Sequence, residues 1–135
     1  MVELDVWYDQ EPENDFGPGD PAIVVRTARE LDALVDRVLE ETKGHRVAAM
    51  VQVSIHGQQG YPALEVGLGQ RKGFIVYHAA DGGSTHGDGD EADKVQYVYV
   101  GSMSEIPADV EVPIHTVRHG LHEFLETGER PSVVR

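Results

Sequence analysis

The sequence predicts an α+β fold: a mainly antiparallel sheet with two main helices packed on one face. Three observations carry that expectation. Period-2 alternation of apolar and polar residues recurs in several short segments. Only two segments show the apolar stripe of an amphipathic helix. The strand-like segments cluster together instead of alternating with helices, as when helices cover one side of an antiparallel sheet.

Each element has its own signal. Val2, Leu4 and Val6 alternate with Glu3, Asp5 and Trp7, a short strand. Residues 11–20 are rich in Pro, Gly, Asn and Asp and read as a loop. Residues 21–25 fit a second short strand. Thr27 and Glu30 form a capping box, with the hydroxyl accepting from Glu30 N–H while the carboxylate reaches back. Leu31, Leu34, Val35, Val38 and Leu39 then line one helix face, and Gly44 is the expected stop.

The period changes to 2 from Val47 to Ile55, a long strand followed by a turn at residues 56–60. Leu64, Val66 and Leu68 mark the next strand and residues 74–77 another, joined by a five-residue hairpin loop at 69–73. Residues 80–93 form a polar Gly/Asp loop. Val95, Tyr97 and Tyr99 continue the alternation. Pro113 suits the first turn of the last helix, where its missing N–H costs nothing. Ile114, Val117, Leu121, Phe124 and Leu125 are its stripe, and Gly128 ends it. Residues 132–134 fit a final short strand.

No repeat or long linker divides the 135 residues, so residues 1–135 read as one domain, with 1–20 an acidic N-terminal strand and loop. A chain of this length buries roughly 65–70% of its unfolded surface. A hydrophobic content of 40% argues against disorder despite the charge. The absence of cysteine removes disulfides, thiolate nucleophiles and Cys-ligated metals. No run of about 18 apolar residues exists, and the first residues lack the basic and apolar regions of a secretory signal. The expectation is a cytoplasmic protein with no membrane partner.

The net charge is -13, and its distribution is informative. Residues 1–20 hold seven carboxylates and no Lys or Arg. Residues 81–111 hold eight, Asp81, Asp88, Asp90, Glu91, Asp93, Glu105, Asp109 and Glu111, against Lys94 alone. The remainder is nearly neutral. Such charge repels nucleic acid and suits a basic protein partner. Those eight carboxylates are the candidate partner-binding residues.

Catalytic and metal signals are weak. His115, His119 and His122 share one face of the last helix at i, i+4 and i+7, a spacing that can bind zinc. That face lies opposite the apolar stripe and lacks the zinc-protease Glu, so an outward polar row is the better account. Residues 88–93 offer calcium oxygen ligands without the spacing of a calcium loop. None of Ser54, Ser84, Ser102 and Ser104 sits in a nucleophile elbow. The lone G-x-G at Gly67 and Gly69 precedes a hairpin, not a helix. The reading is no catalytic residue, no cofactor and no metal. Trp7 and Tyr8, at a strand end, are a candidate contact hot spot. From the residues alone two readings stay open: a small metal-dependent enzyme using the His-rich helix, and a generic acidic interaction module.

A family resemblance adds to this. Leu64-Glu65-Val66-Gly67-Leu68-Gly69, then Gly73-Phe74-Ile75, carry part of it. Further pieces are residues 95–101 and Ser104-Glu105-Ile106-Pro107, then Glu111-Val112-Pro113-Ile114, Val117-Arg118, Phe124-Leu125 and Thr127-Gly128-Glu129-Arg130-Pro131. With the helix start at Thr27-Ala28-Arg29-Glu30, the chain over residues 21–134 resembles the Immunity protein 1 family. These are bacterial antidotes of polymorphic toxin systems, largely in actinobacteria and related groups. The resemblance implies an inhibitor and not an enzyme. It implies a cognate toxin domain as partner, often a nucleic-acid deaminase, whose active-site cleft the antidote blocks.

Overall fold

The computed structural model describes residues 1–7, 22–58, 60, 62–99 and 102–135. The N-terminal loop expected at residues 11–20, and Tyr8, lie outside the described residues. In order the chain forms β1 (Leu4–Trp7), β2 (Ile23–Val25), α1 (Ala28–Glu41), β3 (Ala48–Ile55), β4 (Ala63–Leu68) and β5 (Lys72–His78). There follow β6 (Lys94–Tyr99), β7 (Ser102–Pro107), a 3-10 turn (Ala108–Val110), β8 (Val112–Pro113) and α2 (Ile114–Thr127).

The fold is α+β. The sheet order is β2-β1-β3-β4-β5-β8, every neighbour antiparallel. β6 branches from the N-terminal end of β3 through a short parallel pair, Ala48 with Tyr97 and Ala49 with Val98. β7 pairs with β6. Because strand side chains alternate between faces, Leu4, Val6, Val51, Val53, Leu64, Val66 and Ile75 point one way. There they meet Leu31, Leu34, Val35 and Val38 of α1 and Val117, Leu121, Phe124 and Leu125 of α2 in one core.

The opposite face holds a smaller core. Met50, Phe74 and Tyr97 are buried there, with Val76, Val95, Tyr99, Ile106 and Val110 packed around them. Tyr97 meets Phe74 edge-on, centroids 4.9 Å apart at 83°, the arrangement that the ring quadrupoles favour. This accounts for half of the G-x-G. A Cβ on Gly67 would lie 2.3 Å from Phe74 ring atoms and 2.8 Å from the Tyr97 ring. Gly67 is the bed for those rings, not part of a nucleotide loop.

The helix ends show local chemistry at work. Thr27 Oγ1 accepts from Glu30 N–H at 3.1 Å. The Glu30 carboxylate reaches one residue further back than the simple box, to Arg26 N–H at 2.8 Å. α1 stops before Gly44. Thr42 caps it, its hydroxyl donating to Val38 O at 2.8 Å, while Gln70 Nε2 donates to Leu39 O at 2.9 Å. Side chains thus satisfy carbonyls that the helix end leaves open, and no left-handed glycine is needed. α2 begins at Ile114, with Pro113 as the extended residue before it. It ends at Gly128, which adopts φ +70° and donates to Phe124 O at 2.8 Å.

Three expectations change. The β4–β5 loop is residues 69–71, because Lys72 and Gly73 already pair with β8 and β4. Two strands were not anticipated, β7 and β8. The strand expected at 132–134 is instead a turn closed by Val134 N–H to Pro131 O, and only Arg135 makes a reciprocal backbone pair, with Ser84. Val134 is apolar because it is buried in the helix-side core, not because it belongs to a strand.

Candidate partner-binding surface

The acidic loop is held down along its length. After β5 the chain reverses and runs back beside it. Tyr77 N–H donates to Gly83 O at 2.8 Å and Thr85 N–H to Ile75 O at 2.9 Å. Thr85 is fully buried. Its hydroxyl accepts from Ile75 N–H at 3.1 Å and donates to Val110 O at 2.7 Å. A buried hydroxyl needs such partners, and here they tie the loop both to β5 and to the 3-10 turn. Gly87 N–H then donates to Asp109 O at 2.6 Å.

Beyond this clamp lies the acidic stretch. Asp88, Asp90, Glu91 and Asp93 are all exposed. Asp90 Oδ1 accepts from Ala92 N–H at 2.9 Å and its carbonyl from Asp93 N–H at 3.0 Å, so the stretch turns on itself. Gly89 lies against Ala108, since a Cβ there would sit 2.4 Å from Ala108 O. The structure therefore brings Asp88, Asp90, Glu91 and Asp93 together with Asp109 at one end of the molecule. Among the described residues none of these five forms an ion pair. Coulomb repulsion within the group is left for water, salt or a partner to relieve.

The other three candidates are placed differently. Glu105 is exposed on β7, opposite Gln96 of β6. Glu111 is turned inward: its Oε2 accepts from the buried Tyr97 hydroxyl at 2.6 Å. Burial, and then the facing Glu111 carboxylate, push the Tyr97 hydroxyl pKa strongly up. Glu111 thus anchors the β6–β7 hairpin. Asp81 sits at the far end of β5, 3.6 Å from Arg130 Nη1. The loop covers the length of that seven-residue strand before reaching Asp88, a separation of about 20 Å at ~3.3 Å per residue.

The histidine row divides. His115 and His119 face out, His119 Nε2 lying 2.9 Å from Glu123 Oε1. His122 does not: it is half-buried against α1, its Nε2 2.9 Å from Asp32 Oδ1. Arg118, one turn before it, contacts Asp32 at 3.4 Å and also pairs with Asp36. The reason is that α1 packs along α2 and offers an acidic flank to the border of its stripe. The His122 hydrogen bond, aided by Arg118, holds the Asp32 carboxyl below its ordinary range despite some opposing burial. Among the described residues no group of three or more His, Asp or Glu is placed to hold a metal ion.

A concave feature opens on the sheet face opposite the helices. This groove of about 680 Å³ is lined by Trp7, Gln52, Ser54, Glu65 and His78 among others. Trp7, one of the two proposed hot-spot aromatics, therefore lines a cleft rather than a flat surface. Two features of the surface were not anticipated from the sequence: the Thr85 clamp and the Tyr97–Glu111 anchor. Both join residues distant in the chain, so no local pattern signals them.

The fold is that of a small α+β protein, with an acidic end tied to an eight-stranded sheet and with His119 and His122 set against carboxylates. Residues 19–135 match the family Immunity protein Imm1, and the chain belongs to that family. It is accordingly an immunity protein, of a kind that binds a cognate toxin protein. A comparison with curated proteins finds no match.

Proposed function

We propose that this immunity protein neutralises a toxin that acts on nucleic acid, a deaminase domain being the expected type. It does so by laying its acidic end over the toxin's basic cleft. One observation carries this reading: Asp88, Asp90, Glu91, Asp93 and Asp109 gather at a loop fixed from beneath, and among the described residues none of them forms an ion pair. A toxin that holds DNA or RNA needs a basic cleft, because phosphates dominate that affinity. A rigid row of carboxylates matches such a cleft without an ordering cost at binding. Glu105 extends the surface, and Asp81 and Glu111 contribute through the fold. The protein acts by binding, not by catalysis, and does so in the cytoplasm, where the toxin's substrate lies.

The test is a titration of the toxin domain encoded beside this chain's gene, at a series of salt concentrations. Tight binding that weakens as salt rises, together with loss of toxin activity on nucleic acid, is the expected result. No binding at low salt overturns the reading. Binding indifferent to salt overturns the acidic surface as its basis.

A further inference from the structure

We infer that the free edge of β7 is a docking strand, which an extended basic segment of the toxin domain joins as an additional strand of the sheet. This rests on the toxin-binding reading above and specifies how contact is made.

The argument starts from backbone hydrogen bonds. Ala108 N–H donates to Asp93 O at 2.9 Å, across the end of the β6–β7 ladder. That bond flanks the pair Lys94 and Pro107, which is therefore a pair without direct bonds between its members. Bonded and non-bonded pairs alternate in an antiparallel ladder. Gln96 with Glu105, and Val98 with Met103, are then also non-bonded. The N–H and C=O groups of Met103 and Glu105 consequently point away from β6. Pro107 presents a carbonyl on the same side.

Among the described residues nothing pairs with this edge. The other margins of the sheet differ. β5 is covered by β8 at one end and by residues 83–85 along the rest. β2 is three residues long. β7 offers six residues, and an unpaired edge of that length is a template for strand addition.

The surroundings choose the occupant. Met103 is 58% exposed and offers an apolar cross-strand contact to a partner strand. Glu105 stands two residues along, and β7 leads through the 3-10 turn to the five clustered carboxylates. A strand laid on this edge therefore runs into negative charge. A second copy of the chain would set two molecules of net charge -13 against each other. A basic segment of another protein complements that charge.

Amide hydrogen exchange, measured by NMR with the toxin domain encoded beside the gene, tests this directly. In the free chain the Met103 and Glu105 amides exchange fast, while those of Ser104 and Ile106 are protected by β6. In the complex Met103 and Glu105 become protected as well. Met103→Pro removes only an outward N–H and raises Kd by about 10–100-fold, the cost of leaving interface groups unpaired. Its melting temperature stays at the wild-type value, whereas Ser104→Pro breaks the hairpin's own ladder and lowers it. Should Met103→Pro also lose stability, the exchange data on the wild-type chain decide. Formation of the complex with both amides still fast overturns strand addition alone. Protection that instead grows with the concentration of the free chain, with a dimeric mass, also overturns it. Absence of any complex at low salt overturns the functional reading and this inference with it.

Discussion

The helix side and the loop end of this molecule both carry carboxylates, and they treat them differently. On the helix side, Asp32 and Asp36 face Arg118 and His122, and Glu123 accepts from the Ser132 hydroxyl at 2.5 Å and its N–H at 2.9 Å. These groups join α1 to α2 and α2 to the C-terminal tail. At the loop end, Asp88, Asp90, Glu91, Asp93 and Asp109 are gathered on a clamped backbone, and among the described residues none of them forms an ion pair. The paired charges join elements of the fold; the loop-end charges join none, and on the proposed function they meet the toxin. Changes on the helix side should therefore register in stability, and changes at the loop end in binding.

The strongest break of the helix side is Phe124→Ala. Phe124 is wholly buried between the helices and the sheet, and its truncation is expected to cost about 3–5 kcal/mol in urea unfolding. Affinity per folded molecule should stay near that of the wild type. A much smaller loss would mean that the core collapses around the gap. Thr85→Val is the corresponding break at the loop end. It keeps the shape but leaves Ile75 N–H and Val110 C=O without the hydroxyl. Each stranded group costs about 1–3 kcal/mol. Unlike Phe124→Ala, this change should also weaken toxin binding, because it frees the base of the acidic loop. Unaltered affinity in Thr85→Val would show that the loop needs no clamp.

A third change leaves the fold alone. Reversing Asp88, Asp90 and Asp93 to Lys removes the field at the loop end. The association rate with the toxin should fall by about 10–10³-fold, with most of the effect lost at high salt. Stability should change little, since the exposed loop loses mutual repulsion of its carboxylates and also the Ala92 N–H bond to Asp90 Oδ1. A rate that does not move, measured by stopped flow, would remove steering from the mechanism.

The parts that could be read in advance share a property: their signal is local. β3 and β4 announce themselves by alternation, β5 by the apolar run Phe74-Ile75-Val76-Tyr77, and α1 by Thr27, Glu30 and a clean stripe. β7 was hidden because Ser102-Met103-Ser104-Glu105 carries little apolar pattern. Its inward face is supplied mainly by Ile106, packed on the second small core. The acidic site was visible as charge density, yet neighbours in sequence are not neighbours in space. Asp81 is carried away by the length of β5, and Glu111 is claimed by Tyr97. Thr85, which fixes the loop, has partners 10 and 25 residues away, and no spacing rule reveals those.

The smallest expected effect sharpens the comparison through pH. Hydrogen bonds from Ser132, with His119 beside it, hold the Glu123 carboxyl below its ordinary range, as His122 and Arg118 do for Asp32. A carboxylate whose pKa is depressed by folding stabilises the native state above its unfolded value. That contribution is lost as pH falls through the lower, folded value. Stability from these two groups is therefore present at neutral pH and disappears on the acid side of about pH 4, the unfolded carboxylate range. Asp32 is half exposed, so solvent screening keeps the sum to a few tenths up to about 1 kcal/mol. In urea unfolding followed from pH 7 down to about pH 3, Asp32→Asn with Glu123→Gln should lose less stability than the wild type by that amount. The same acid loss in both would mean that the helix-side pairs orient their elements without stabilising them, and the contrast with the loop end would then be one of geometry alone.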